Sequence, residues 1–493
     1  MAAPRPKRPT PARAEPRLAI VAAVIAAATL LSYLPALGAR YIWDDEAYVT
    51  GNETLRTLGG LADIWLSPWA TPQYYPLVHT TFWLEYRLWG LAPAGYHLVN
   101  VALHAANAVL VYLLLRRLKL PGALLAAGLF ALHPVHVESV AWITERKNVL
   151  SALLYLSAML TYLRFRPLGE NGGGERRTYI LALALFAGAL LSKTVTASMP
   201  AAFLLLVYWK EGRITRRDVL LLLPFFALGL VAGGNTAWLE KHRVGAYGAD
   251  WALSFAERVL IAGRAVWFYF GKLVWPHPLV FIYPRWELDA ASPAQWAFPA
   301  AAVLVVAGLV AARGRLGRGP LVAVLFFGGT LFPALGFFDV YPMRFSFVAD
   351  HFQYLASLGL LALLAAGAAQ AFARPDRRRI GHGAAALWLL ALGTLTYAQS
   401  VHYHDYETLW LDTLSKNPGC WMARNNLGLL YEKTGRTEEA VAQYRLALEV
   451  KPGAPDAHTN LGNVLLASGR RAEAMAHLPV SYTHLTLPTI LLV

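Results

Sequence analysis

The sequence predicts an all-α membrane protein, a polytopic helical bundle of about eleven spans followed by a short α-solenoid. Three observations predict it. Of the 493 residues, 57% are hydrophobic and only 15% charged, where soluble domains carry about 25% charged residues. The apolar residues come in runs close to the roughly 20 residues that a crossing helix needs. Beyond residue 400 the chain turns polar and repeats with a period of 34 residues.

The net charge of +14 sits in short basic runs between apolar segments, the placement the positive-inside rule requires. That reading leaves no role for nucleic acid. The candidate cytoplasmic segments are 1–17, 116–119, 164–177, 210–217, 313–318 and 374–379. Two crossings between consecutive segments place spans at 18–37, 98–115, 122–140, 149–165, 178–192, 195–209, 218–237, 297–312, 320–337, 353–373 and 380–398. No small-residue cleavage site follows the run Arg5, Lys7, Arg8, Arg13 and Arg17 cleanly, so the first span reads as an uncleaved helix behind a cytoplasmic N-terminus. A single cysteine, Cys420, excludes an intrachain disulfide.

One further apolar stretch, 259–275, contains Arg264, Lys272 and the run Trp267, Phe268, Tyr269, Phe270. A full crossing there would invert every later basic run, so an interfacial or re-entrant helix is expected. Two long outer loops result, 38–97 and 238–296, the first with a surface helix near Leu58 to Leu66. The expected domains are a basic N-terminus at 1–17, a transmembrane domain at 18–399, repeats at 400–478 and an atypical tail at 479–493. The tail shows no helical phase and reads either as a non-native terminus or as an atypical cap. In the repeats Pro418 recurs as Pro452, Asn426 as Asn460, Gly428 as Gly462, Gly435 as Gly469 and Ala440 as Ala474. This is the tetratricopeptide pattern, whose arrays present concave surfaces to extended polypeptide.

The candidate site residues lie at the membrane border. Asp44, Asp45 and Glu46 follow the first apolar segment directly. An acid in the bilayer core costs about 3 kcal/mol, so the border is as deep as such a cluster sits cheaply. The bland alternative is a solvated helix end. An odd number of spans puts these acids and the repeats on one side. His133, His136 and Glu138 occupy another outer turn with Arg146 and Lys147. Pro134 works against a regular two-histidine face, so a polar cavity lining is weighed above metal, and a divalent ion is left open. Arg146 and Lys147 are candidates for holding a phosphate. Lys193, Arg344, Asp350 and His351 are ionisable groups at membrane edges, candidates by position.

The motifs Trp43-Asp44-Asp45, Tyr74-Tyr75-Pro76-Leu77, His97-Leu98-Val99-Asn100 with His104, His133 to Trp142, Arg146-Lys147-Asn148, Ser192-Lys193 and Ala349-Asp350, followed by the repeats, resemble the transmembrane and tetratricopeptide-repeat-containing O-mannosyltransferases and their bacterial relatives, of the GT-C class. The resemblance implies a polyprenyl-phosphate sugar donor, inverting transfer to Ser or Thr of an acceptor polypeptide, Asp44 or Asp45 as acid–base, and Glu138 as a second essential acid. On that pattern Arg146, Lys147, Lys193, Arg344 and His351 bind the donor phosphate. His133, His136, Tyr74, His97 and Asp350 line the cavity. The chain departs from the family at Tyr75 and His351, where arginine is frequent, and at Thr194, where glutamate is.

The chemistry agrees. A hydroxyl is a weak nucleophile and needs a base as it attacks the sugar, while an anionic leaving phosphate needs cations in a poorly hydrated site. The rivals are a non-enzymatic scaffold for envelope assembly, a flippase, and a GT-C transferase acting on a glycan or lipid. Ala, Gly and Arg content suggests a bacterial inner membrane with a periplasmic site, or the ER membrane and lumen in a eukaryote.

Overall fold

The computed structural model describes residues 18–169 and 173–477. The basic N-terminus and the tail from 479 lie outside the described residues. Among the described residues there is no strand. The helices are α1 (Leu18–Ser32), α2 (Leu58–Leu66), α3 (Pro76–Trp89), α4 (Pro93–Arg117), α5 (Ala123–Leu132), α6 (Val137–Ala141), α7 (Arg146–Phe165), α8 (Arg176–Leu190), α9 (Met199–Glu211), α10 (Arg216–Leu239), α11 (Phe255–Val274), α12 (Pro293–Leu316), α13 (Gly319–Leu331), α14 (Ser357–Ala371) and α15 (Pro375–Val401). The repeats follow as α16 (Tyr406–Lys416), α17 (Trp421–Lys433), α18 (Thr437–Val450), α19 (Pro455–Ala467) and α20 (Arg471–Ala474).

Each of the eleven expected spans falls on a helix, but their lengths differ. Five helices, α4, α7, α10, α12 and α15, are long and apolar enough to cross. The pair α5 and 134–141, bent by 53°, makes a sixth. α1 and α14, with 15 residues each, and α13 are shorter apolar helices. α8 and α9, with 15 and 13 residues, are about 20 Å long at 1.5 Å per residue, short of a 30 Å hydrocarbon core. The expected surface helix appears as α2. The expected interfacial segment appears as α11, which a Ser254–Glu257 capping box starts. α3 was not foreseen.

α4 and α7 run through the centre of the bundle, while α12 buries none of its residues, as a lipid-facing helix does. α4 carries Asn100, His104 and Asn107 along one face, all buried. They satisfy backbone freed where the chain breaks between α5 and α7. Asn100 donates to the Trp142 carbonyl at 3.1 Å and Asn107 to the Val149 carbonyl at 2.8 Å. His104 lies 3.1 Å from the Ala131 carbonyl. Irregular backbone at membrane depth is tolerated only with such partners.

The repeats stack against the end of the bundle that carries the first loop. Gly428 shows why glycine recurs in them, since a Cβ there would meet the Tyr444 ring at 2.6 Å. The α16–α17 turn is pinned to the second long loop, with Lys416 donating to the Leu279 carbonyl at 2.9 Å and Asn417 to the Ile282 carbonyl at 3.0 Å.

Candidate active site

Trp43 sets the site's geometry. Its φ of +42° lies in the left-handed region, which a bulky residue enters at a cost of roughly 1–3 kcal/mol. Aromatic packing holds it there: the ring stacks on Trp142 at 5.9 Å and touches Phe281 at 5.2 Å and Trp410 of α16 at 5.4 Å. This turn separates the two aspartates. Asp45 is fully buried. Its carboxylate accepts from the Ile42 amide at 2.9 Å, the Thr144 amide at 2.8 Å and the Thr144 hydroxyl at 2.5 Å. Asp44 is half-buried, and among the described residues its carboxylate has no hydrogen bond or ion pair. Burial pushes its pKa up to about 6, with Lys147 and His351 pulling down and Glu145 pushing up.

Near Asp44 is a pair of lysines on one acid, of which Lys147 acts electrostatically on the Asp44 carboxylate. Glu145, buried in the turn before α7, meets Lys147 Nζ at 3.1 Å through Oε1 and Lys193 Nζ at 3.0 Å through Oε2. Lys147 also lies over the Tyr48 ring, 5.1 Å from its centroid, and 3.5 Å from Gln73 Oε1. The Asn148 side chain ties this fork to a second pair, donating to Glu145 at 2.7 Å and to the His351 carbonyl at 3.0 Å. In that pair Glu138 accepts from the His351 amide at 3.0 Å and meets His351 Nδ1 at 2.9 Å. Two ammonium groups on one carboxylate leave a net positive charge aimed at a site that already holds an unpaired acid.

The structure thus brings together Asp44, Lys147, Lys193, Glu138 and His351, and separates the rest. Arg146 does not face the site. Its guanidinium is fully buried and held by Glu85, Asn100 Oδ1, Thr81 and the Tyr96 carbonyl, which leaves it no donor for a phosphate. Arg344 points to the repeats, 3.4 Å from Asp250 and 3.7 Å from Asp456 of α19. Asp45 is committed to Ile42 and Thr144, so its carboxylate is not offered to a substrate.

The expected lining residues are mostly core. His133 uses Nε2 on the Leu273 carbonyl and His136 uses its nitrogens on the Phe130 carbonyl and Ser357. His97 is buried completely. Asp350 is buried and accepts from the Tyr283 hydroxyl at 3.0 Å. Tyr74 alone of the five borders open space, a small cleft with Gln73, Tyr75, Glu240 and Arg243.

Sequence reasoning missed Glu145, Gln73 and Thr144. For Glu145 a signal existed, an acid directly preceding Arg146-Lys147. For Gln73 nothing in the spacing pointed to Lys147.

Comparison with known proteins bears on this geometry. Residues 72–238 match the family described as dolichyl-phosphate-mannose-protein mannosyltransferase, and residues 428–469 match the TPR repeat. The first match takes in Glu138, Glu145, Lys147 and Lys193 and begins after Asp44. Protein O-mannosyl-transferase Tmtc1 of Drosophila melanogaster is 38% identical over 173 residues, 33% of this chain and 19% of that protein. Protein O-mannosyl-transferase TMTC4 of Homo sapiens is 27% identical over 485 residues, 85% of this chain and 65% of that protein. TMTC1 of Homo sapiens is 36% identical over 183 residues, 34% of this chain and 21% of that protein. The chain therefore spans less than two thirds of the length of these curated relatives. A mannosyltransferase match across the fork, a repeat match at its C-terminal end and a relative aligned along most of its length make the chain similar to the protein O-mannosyl-transferases with tetratricopeptide repeats.

Proposed function

We propose that this protein is a membrane glycosyltransferase that moves mannose from a polyprenyl-phosphate donor to Ser or Thr hydroxyls of exported polypeptides, with inversion at the anomeric carbon. The observation that carries the reading is the unpaired Asp44 carboxylate near the Lys147–Glu145–Lys193 fork. Asp44 takes the proton of the attacking hydroxyl. The two lysines receive the departing lipid phosphate, and attack comes from the face opposite the leaving group. A pKa near 6 keeps Asp44 ionised at neutral pH yet basic enough to accept a proton.

The arrangement also supports a topology. Residues 18–399 form the catalytic domain and 400–478 the acceptor-binding array, with both long loops and the repeats on the non-cytoplasmic side, in a periplasm or an ER lumen. The names of the relatives support mannose and a protein acceptor. The test is incubation of the purified protein with labelled polyprenyl-phosphate mannose and a Ser/Thr peptide, with the product anomer assigned by NMR. Label on a hydroxyl oxygen with the anomeric configuration opposite to the donor is expected. Retained configuration, or no label from any lipid-linked sugar, rejects the reading.

A further inference from the structure

The fork alone does not balance the charge of the reaction assigned above, on which this inference rests. A sugar joined to a lipid phosphate is a phosphodiester with one negative charge. When the C1–O bond breaks, the electron pair stays on the phosphate oxygen and the leaving group becomes a monoester with a second charge. The groups around it are Lys147 and Lys193 against Asp44, Glu138 and Glu145, two cations against three carboxylates. Asp350, wholly buried beside Glu138, has its pKa raised well above the usual carboxylate range by that burial first and by Glu138 second. A site with no cation excess is a poor receiver for a growing anion.

His351 is built to remove that deficit. Its ring meets Glu138 through Nδ1 at 2.9 Å, and its backbone amide donates to the same carboxylate at 3.0 Å. An ionised carboxylate only accepts, so Nδ1 carries the hydrogen and the ring orientation is fixed. Nε2 has no hydrogen-bond partner among the described residues, and it is not sealed in the core, since it is absent from the buried polar atoms that lack a partner. The ring lies within electrostatic reach of both Asp44 and Glu145. A histidine with one nitrogen held by an acid and the other without a partner and not sealed in the core has the form of a proton donor.

We propose that the Glu138–His351 pair is the acid side of the reaction, with Glu138 as the positioning residue and His351 as a catalytic one. The C1–phosphate bond breaks as C1 bonds to the acceptor oxygen. The hydroxyl proton passes to Asp44, and the Nε2 proton of the imidazolium passes to the departing phosphate, which leaves as a hydrogen phosphate monoanion. Charge in the site is unchanged across the step. Afterwards Asp44 loses its proton to water and His351 regains one.

The pH profile of kcat/KM for the purified full chain tests this, with polyprenyl-phosphate mannose and a Ser/Thr peptide, alongside the pH dependence of inhibition by polyprenyl phosphate. Wild type is expected to show an alkaline fall in rate and weaker inhibition at high pH. His351→Gln is expected to lower kcat/KM by about a hundredfold. His351→Arg, a fixed cation that cannot pass on its proton, should stay about as low in kcat/KM as His351→Gln, with the alkaline fall and the pH dependence of inhibition both gone. Glu138→Gln should move the alkaline fall to lower pH, which a merely structural role would not do. An alkaline fall that persists in folded His351→Arg, or His351→Gln within twofold of wild type, overturns the proposal and leaves the transferase reading intact. A wild-type protein that transfers no sugar at any pH overturns both.

Discussion

Asp45 commits its carboxylate to three donors from Ile42 and Thr144, and Asp44 commits its own to none. Their substitutions should therefore separate. Asp45→Ala strands buried donors and is expected to cost about 2–4 kcal/mol in thermal or denaturant unfolding. Asp44→Asn should do the reverse. The folded pKa of Asp44, about 6, lies above the ordinary aspartate value of 3.8, so the native state binds more protons than the unfolded state between those values. Stability from this group accordingly falls as pH rises from about 4 to about 6 and stays lowered above. Asp44→Asn should melt higher than wild type at pH 7, with the gap closing below pH 4. Transfer by wild type should follow the opposite course, rising with pH through about 6 as the base loses its proton. An identical melting difference at pH 4 and pH 7 would contradict the assignment of the free carboxylate. The sequence showed the acidic pair and its place at the membrane border. It did not show which acid was free, because that follows from the left-handed turn at Trp43 and from Thr144, about a hundred positions away.

At the scale of elements, α3 and α7 are joined by the Arg146–Glu85 ion pair, buried on both sides, and Arg146 ties in α4 through Asn100 Oδ1 and the Tyr96 carbonyl. Removing one partner of such a pair costs about 3–5 kcal/mol. Glu85→Ala is expected to lower stability by that amount and reduce the yield of folded protein in detergent, with the remaining folded fraction still transferring sugar. A folded variant that binds donor poorly would return Arg146 to the phosphate site. The helices themselves were legible from apolar runs and basic punctuation, down to α2 and the end of α11. α3 was not, because Pro76–Trp89 mixes apolar residues with His79, Glu85 and Arg87 and has no continuous apolar run. Glu138 was singled out as an acid, but its partner His351 is 213 residues away, and no local pattern carries such a contact. The polar stripe on α4 was visible as a motif without its purpose, since the broken backbone it serves lies on other helices.

Over the whole molecule, the repeats do not hang from the bundle but join the loops that build the site. Trp410 packs on Trp43, Arg344 bridges Asp250 and Asp456, Lys451 lies 3.5 Å from Asp250, and Lys433 lies 3.4 Å from Glu46. These ion pairs are partly exposed, worth about 0.5–1 kcal/mol each. Arg344→Ala is therefore expected to raise KM for long acceptor peptides a few-fold, less so at high salt where the wild-type pairs are already screened, while kcat with a short peptide holds. Equal loss for both lengths would place Arg344 in the donor site instead. The topology has its own check. Cysteines introduced at exposed Glu46 and Lys433, in a background where Cys420 is buried, should react with an impermeant reagent from the non-cytoplasmic face. A cysteine at Arg315 should react from the other. Labelling of Glu46→Cys and Lys433→Cys from opposite faces would break the common compartment on which acceptor delivery depends.

The most direct measurement compares wild type with Asp44→Asn and Asp45→Asn, purified and matched for folded protein, in transfer of labelled mannose from polyprenyl phosphate to peptide. The account predicts that Asp44→Asn falls by about a hundredfold or more while remaining at least as stable as wild type. Asp45→Asn should retain turnover in proportion to the protein that stays folded. Wild-type turnover in Asp44→Asn, with the loss confined to Asp45→Asn, would contradict it.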